Sequence, residues 1–209
     1  MTRSRRSALF ALVVAVALAL GGCTSSDGSG GGSGSSGSSG SSAHNDADAT
    51  FAAEMVPHHE QALQKVAMTQ GRDLSPDFEQ LTTNIYDAQQ PEIDEMKGWL
   101  EDWGEPPATG TGMGGMGNMS EMPGMDGSAP GMMSDDDLGE LTNTTDRSAF
   151  EKMWLTMMIA HHQGAIDMAR TELADGEYQP ALDLAQSFVE SQSAEIGQMK
   201  QMLQDSPAS

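Results

Sequence analysis

One segment of this 209-residue chain is written twice, at an offset of 103 residues. Met55-Val56-Pro57-His58-His59 returns as Met158-Ile159-Ala160-His161-His162. Downstream, Gln89 maps on Gln192, Glu92-Ile93 on Glu195-Ile196, Met96-Lys97 on Met199-Lys200, and Leu100 on Leu203. A constant offset means that the connection inside each copy has the same length. Apolar residues recur three or four apart, the period of a helix face. They are Phe51, Met55, Ala62 and Val66, then Phe78, Leu81, Ile85, Ile93, Met96 and Leu100. In the second copy Phe150, Trp154, Met157, His161, Ala165 and Met168 form one stripe. No stretch alternates as a strand would. Each copy is therefore a helical hairpin, 44–104 and 138–205. A lone hairpin cannot bury its stripe, whereas two bury it against each other. The expected fold is all-α, a four-helix bundle made of two duplicated αα-hairpins.

Local signals place the ends. Asp46 or Asp48 can cap the first helix, and Thr145 or Asp146 the third. Ser75-Pro76-Asp77 reads as a turn and a helix start, with proline in the first turn. The second helix runs to about Trp103, where Gly104 and Pro106-Pro107 stop it. Asp175-Gly176 ends the third helix, and Tyr178 to Leu203 form the last. Pro57 removes a backbone hydrogen bond and should kink the first helix beside His58; Pro91 should bend the second.

The hairpins are joined by residues 105–137, rich in Gly, Pro, Ser, Asp and Met. With no large apolar residue besides methionine, they are expected to be disordered. Met113, Met116, Met119, Met122 and Met125 are spaced by three throughout, and Met132-Met133 follow.

The N-terminus reads as export machinery. Arg3, Arg5 and Arg6 precede the apolar run Ala8 to Leu20, too short to span a bilayer and suited to a secretory signal. The run leads into Leu20-Gly21-Gly22-Cys23, similar to a bacterial lipobox. Residues 1–22 are thus expected to be a lipoprotein signal peptide, with Cys23 as the lipidated, mature N-terminus. The alternative is an ordinary cleaved secretory signal. Ser4-Arg5-Arg6 weakly resembles a twin-arginine signal. Residues 23–43 would be the tether, almost pure Ser and Gly, with a reach of roughly 25 Å. Cys23 is the only cysteine, so no intrachain disulfide can form. The expected location is the outer face of the bacterial cytoplasmic membrane, or the periplasmic side of an envelope, with membrane contact through the lipid alone.

After residue 22 the chain carries 7 basic against 31 acidic groups, a net −24. Such a surface repels nucleic acid and anionic lipid and attracts cations. Four of the five histidines lie in the two pairs. Met55 precedes His58 by three and His59 by four, so it shares a helix face with both. Met158 stands in the same relation to His161 and His162, and Met157 adds a thioether four before His161. Imidazole suits copper, zinc or iron; thioether narrows the choice toward Cu(I), or Ag(I) as its mimic. His58, His59, His161, His162, Met55, Met158 and Met157 are therefore the candidate metal ligands of the bundle. The competing reading makes the histidines packing residues. Met113, Met116, Met119, Met122 and Met125 form a second candidate set, because a flexible run of thioethers can wrap Cu(I); the bland alternative is a plain linker. The pairs either meet across the core or stand on different faces.

The doubled Met-x-x-His-His, followed in each copy by Glu-Ile-x-x-Met, resembles the DUF305 family over nearly all of 44–204. The resemblance implies a ferritin-like four-helix architecture, export or lipid anchoring, and, as in members of the CopM type, copper binding through the two histidine pairs with Met55 and Met158. The function expected is extracytoplasmic copper sequestration, resistance or delivery, with a copper-trafficking protein as partner and no organic cofactor. Two other classes compete. A ferritin-like di-metal oxidase needs inward carboxylates and Glu-x-x-His, and no Glu-x-x-His occurs here. A helical interaction module needs no metal. No catalytic constellation is found, so no enzyme is expected.

Overall fold

A computed structural model describes residues 43–106 and 129–205. They form α1 (Asp46–Ala67), α2 (Pro76–Trp103), α3 (Asp135–Asn143), α4 (Arg147–Asp175) and α5 (Gln179–Asp205). No strand occurs among the described residues. The four long helices are the two expected hairpins, α1 with α2 and α4 with α5, joined mainly through α1 against α4.

The cap of α1 is Asn45, not Asp46 or Asp48. Its side-chain oxygen accepts from the Ala47 and Asp48 N–H groups, and Asp48 reaches back to the Asn45 N–H at 2.7 Å. This capping box satisfies donors that a helix start leaves over. Asp48 also accepts from the N–H groups of Glu177 and Tyr178, and Asn45 Nδ2 donates to the Asp175 carbonyl at 2.8 Å. The start of α1 is thereby tied to the α4–α5 turn. Helix α1 continues through Pro57, and α2 through Pro91. Gly104 closes α2 at φ 75°, a left-handed position that suits glycine. Asp146 caps α4 through the Ala149 N–H at 2.8 Å.

The segment between the hairpins departs from expectation. Residues 129–137 belong by composition to the disordered insert, yet they take defined positions. Ser134 and Asp137 form a second capping box, and α3 starts at Asp135. Leu138 and Leu141 are buried, which supplies the apolar anchor that composition concealed. Residues 107–128, with Met113, Met116, Met119, Met122 and Met125, lie outside the described residues, as do 1–42 with Cys23.

The bundle core is two apolar clusters. The first holds Phe51, Met55, Ile93, Met96, Trp99, Leu100, Met168 and Phe188. The second holds Val66, Phe78, Leu81, Ile85, Phe150, Trp154, Met158, Ile196 and Met199. Along each long helix the two clusters take opposite ends, except that Ile166 joins the second cluster from beyond the α4 histidines. Between them α1 carries His58-His59, α4 His161-His162, α2 Gln89 and Glu92, and α5 Gln192 and Glu195. The repeat exchanges the clusters, sending Met55 of the first to Met158 of the second. The middle of the bundle is therefore a polar layer with approximate two-fold symmetry.

Candidate metal centre

Four consecutive-pair histidines sit in this layer, and all four have zero exposure. Neither member of a pair lies at an exposed seam. The His58 and His161 rings face each other with centroids 3.7 Å apart, so the two pairs meet across the core. Within each pair the centroids are 6.4 Å apart, at interplanar angles of 50° and 52°. That near-identity is the repeat made visible.

Three of the four rings are held the same way. His58 Nε2–H donates to the Pro130 carbonyl at 3.0 Å. His59 Nε2 is 3.1 Å from Glu92 Oε2, and His162 Nε2 is 2.6 Å from Glu195 Oε2. A carbonyl only accepts, so the His58 ring carries hydrogen on Nε2 and a lone pair on Nδ1, and a carboxylate that accepts would set His59 and His162 the same way. In all four histidines Nδ1 has no partner among the described residues, and His161 Nε2 has none either. Buried polar groups are normally satisfied, so this concentration calls for a ligand. A second ring nitrogen fixed by an oxygen is how metal-binding histidines are usually oriented.

Burial keeps His58, His59 and His161 neutral. Burial, with the neighbouring His59, pulls His58 down to about 3. Burial and His162 bring His59 to about 3, and burial with His58 holds His161 well below its usual value. Neutral imidazole is the form that ligates. Burial and the charge of Glu195 push Glu92 up to about 7. Two carboxylates facing one buried layer favour a cation between them.

Met55 and Met158 are fully buried, one in each apolar cluster. Met157 is partly buried against the second cluster. Among the described residues, no three His, Cys, Asp or Glu side chains stand as a ready coordination shell. The layer thus offers open nitrogen donors in two facing pairs, with thioethers on the flanking turns. His44 stacks on Trp103 at 4.1 Å, outside the layer.

Glu92, Glu195, Gln89 and Gln192 belong to the layer, and reading the ligand types alone missed them. The signal was the repeat itself, which preserves these four polar residues at the same offset as the histidines. Pro130 and Gly131 were missed as well. Gly131 has φ 80°, and a Cβ there would meet the Ala160 carbonyl and His161 Cα. A Cβ on Gly164 would strike the Pro130 carbonyl. Two glycines therefore let this strap lie directly on α4. Gln61 fixes it, donating to the Met133 carbonyl and accepting the Met133 N–H, both at 2.9 Å.

Solved structures similar to this chain share the architecture. A DUF305 protein from Streptomyces coelicolor, described as secreted, is 28% identical with a TM-score of 0.64; the match covers 76% of this chain and 91% of that one. A DUF305 fragment from Deinococcus radiodurans is 26% identical, TM-score 0.62, over 77% and 97%. CopM in its Cu(II)-bound form is 31% identical, TM-score 0.61, over 76% and 96%. CopM has also been solved in Cu(I)-bound, Ag-bound and apo forms. No curated protein matches the chain. The family model described as domain of unknown function DUF305 matches residues 48–203. This chain, all-α and built on that doubled histidine layer, belongs to the DUF305 family.

Proposed function

We propose that the protein binds copper outside the cytoplasm, for sequestration, resistance or delivery, and that Cys23 anchors it to the membrane by lipid. The observation that carries the reading is the set of four buried histidines, each with Nδ1 open and three with Nε2 fixed by oxygen. Such a layer costs stability unless something fills it. The copper- and silver-bound forms of CopM support the choice of metal. The ligands are His58, His59, His161 and His162, with Met55, Met158 and Met157 as thioether donors for Cu(I). Met113, Met116, Met119, Met122 and Met125 are a second set of thioether donors for Cu(I), a role that rests on their composition and spacing. A copper-trafficking protein is the partner that would receive or supply the ion. The extracytoplasmic setting is supported by the secreted relative and by the signal-like N-terminus.

Titrating the full chain with Cu(I) against a competing chelator tests this. Binding tighter than the chelator, reduced in stoichiometry by combined His161→Ala and His162→Ala with helicity retained, is expected. Absence of such binding overturns the reading. Glu92 and Glu195 beside His59 and His162 also favour a second reading, a carboxylate-histidine site for a harder divalent ion, as in a di-metal oxidase. Iron uptake with a di-iron absorption band would support it.

A further inference from the structure

The repeat that builds the layer breaks at a buried position. At the offset of 103, Lys65 of α1 takes the place that Met168 holds in α4. Lys65 is fully buried, and its Nζ has no hydrogen-bond partner among the described residues. It lies 5.1 Å from the centroid of the Trp154 ring. The Trp154 N–H donates to the Lys65 carbonyl at 3.0 Å. Trp154 is itself the counterpart of Phe51, so the first cluster has a Phe–Met pair where the second has Trp–Lys.

The consequence for a soft ion is direct. The first cluster contains three buried thioethers, Met55, Met96 and Met168. Their counterparts in the second half are Met158, Met199 and Lys65. Replacing a thioether by an amine removes a soft donor.

We infer that the two halves of the layer are unequal hosts: the half flanked by Met55, Met96 and Met168 holds a soft monovalent ion the more tightly, and Lys65 weakens the hold of the other half until a competing ligand keeps it empty. This deepens the copper reading and rests on it.

The test uses the full chain, Ag(I) as a redox-inert probe beside Cu(I), a competing ligand, and ions counted by native mass spectrometry. Lys65→Met writes the counterpart residue into the second half and should add one bound ion relative to wild type. Met168→Leu nearly conserves volume; it should remove one ion, or weaken one site at least tenfold, with the circular dichroism unchanged. An equal count in wild type and Lys65→Met, with helicity retained, overturns the inference. Met168→Leu with unaltered count and affinity does the same. A wild-type chain that takes up neither ion overturns the copper reading and this inference together, which distinguishes the two failures.

Discussion

In the second apolar cluster Phe78 meets Trp154 edge-on at 4.9 Å, and the indole N–H of Trp154 is satisfied by the Lys65 carbonyl. A few residues along the same helices, five imidazole nitrogens and three amide atoms of Gln89 and Gln192 have no partner among the described residues. Both regions are equally dry. Apart from the amine of Lys65, the apolar ends of the bundle follow the rules of packing, and its middle concentrates the violations at about 1–3 kcal/mol for each unsatisfied group. A layer that weakens the fold in this way points to function, because violated rules of folding tend to mark it.

The largest effect should separate the regions outright. Trp154→Ala removes a fully buried ring from the second cluster and is expected to cost about 3–5 kcal/mol in urea unfolding. His161→Leu deletes two unpartnered nitrogens and fills similar space, so the metal-free protein should unfold at the same or higher denaturant concentration while metal binding falls. If His161→Leu destabilises as much as Trp154→Ala, the histidines are packing residues and the contrast is lost.

A smaller effect concerns orientation. Glu92→Gln and Glu195→Gln keep an oxygen beside His59 and His162 but remove the charge that secures the tautomer. Each should weaken metal binding by about 10- to 100-fold with helicity unchanged, measured by chelator competition. Unchanged affinity in both would make these carboxylates bystanders.

How far all this could be read in advance follows from the same contrast. The hairpins, their ends and the meeting of the two halves rest on apolar periodicity and on the 103-residue offset, which are carried by local sequence. Glu92 and Glu195 were harder to place. Each precedes an isoleucine on the apolar stripe, so by hydropathy alone it counts as the solvent side. The layer is where a bundle buries polar residues against that pattern. Pro130 and Gly131 lie in a stretch whose composition describes a linker. What fixes them is long-range, a carbonyl on His58 and a glycine-to-glycine fit with α4. Lys65 interrupts the stripe and reads as exposed, although its methylenes and amine are enclosed beside Trp154.

Acidity should sharpen the contrast further. His58, His59 and His161 stay neutral in the folded state well below 6.5. The unfolded chain takes up protons there as pH falls through 6.5, so stability is lost on acidification. Glu92 and Glu172 act in the opposite sense, because the folded state keeps their protons up to about 7 and about 8. Their contribution is present below 4.5 and fades as pH rises through those values. Between 4.5 and 6.5 three histidines outweigh two glutamates, and buried Lys65, held well below 10.5, adds to the loss as pH falls; below 4.5 the glutamates no longer oppose them, and Asp48, held below 3.8, adds its own loss. The metal-free protein should lose stability from neutral pH downward, with its steepest loss below 4.5. Thermal unfolding over pH 3.5–9 measures this. His161→Leu should flatten the acid limb, whereas a conservative change in either apolar cluster should shift the whole curve without reshaping it.

The smallest effect lies at the strap. Gln61→Ala removes both side-chain bonds to Met133, about 1 kcal/mol each, from a segment that packs on α4 but belongs to neither cluster. Global stability should hardly change, because the apolar ends remain intact. Amide exchange at Met133 should rise roughly tenfold or more, at about 1.4 kcal/mol per tenfold. The Pro130 carbonyl that holds His58 loses its support at the same time. Uptake of Cu(I), followed by stopped flow, should therefore become faster while equilibrium affinity moves less. Faster exchange at Met133 with an unaltered uptake rate would place the entry route elsewhere, between the helices rather than beneath the strap.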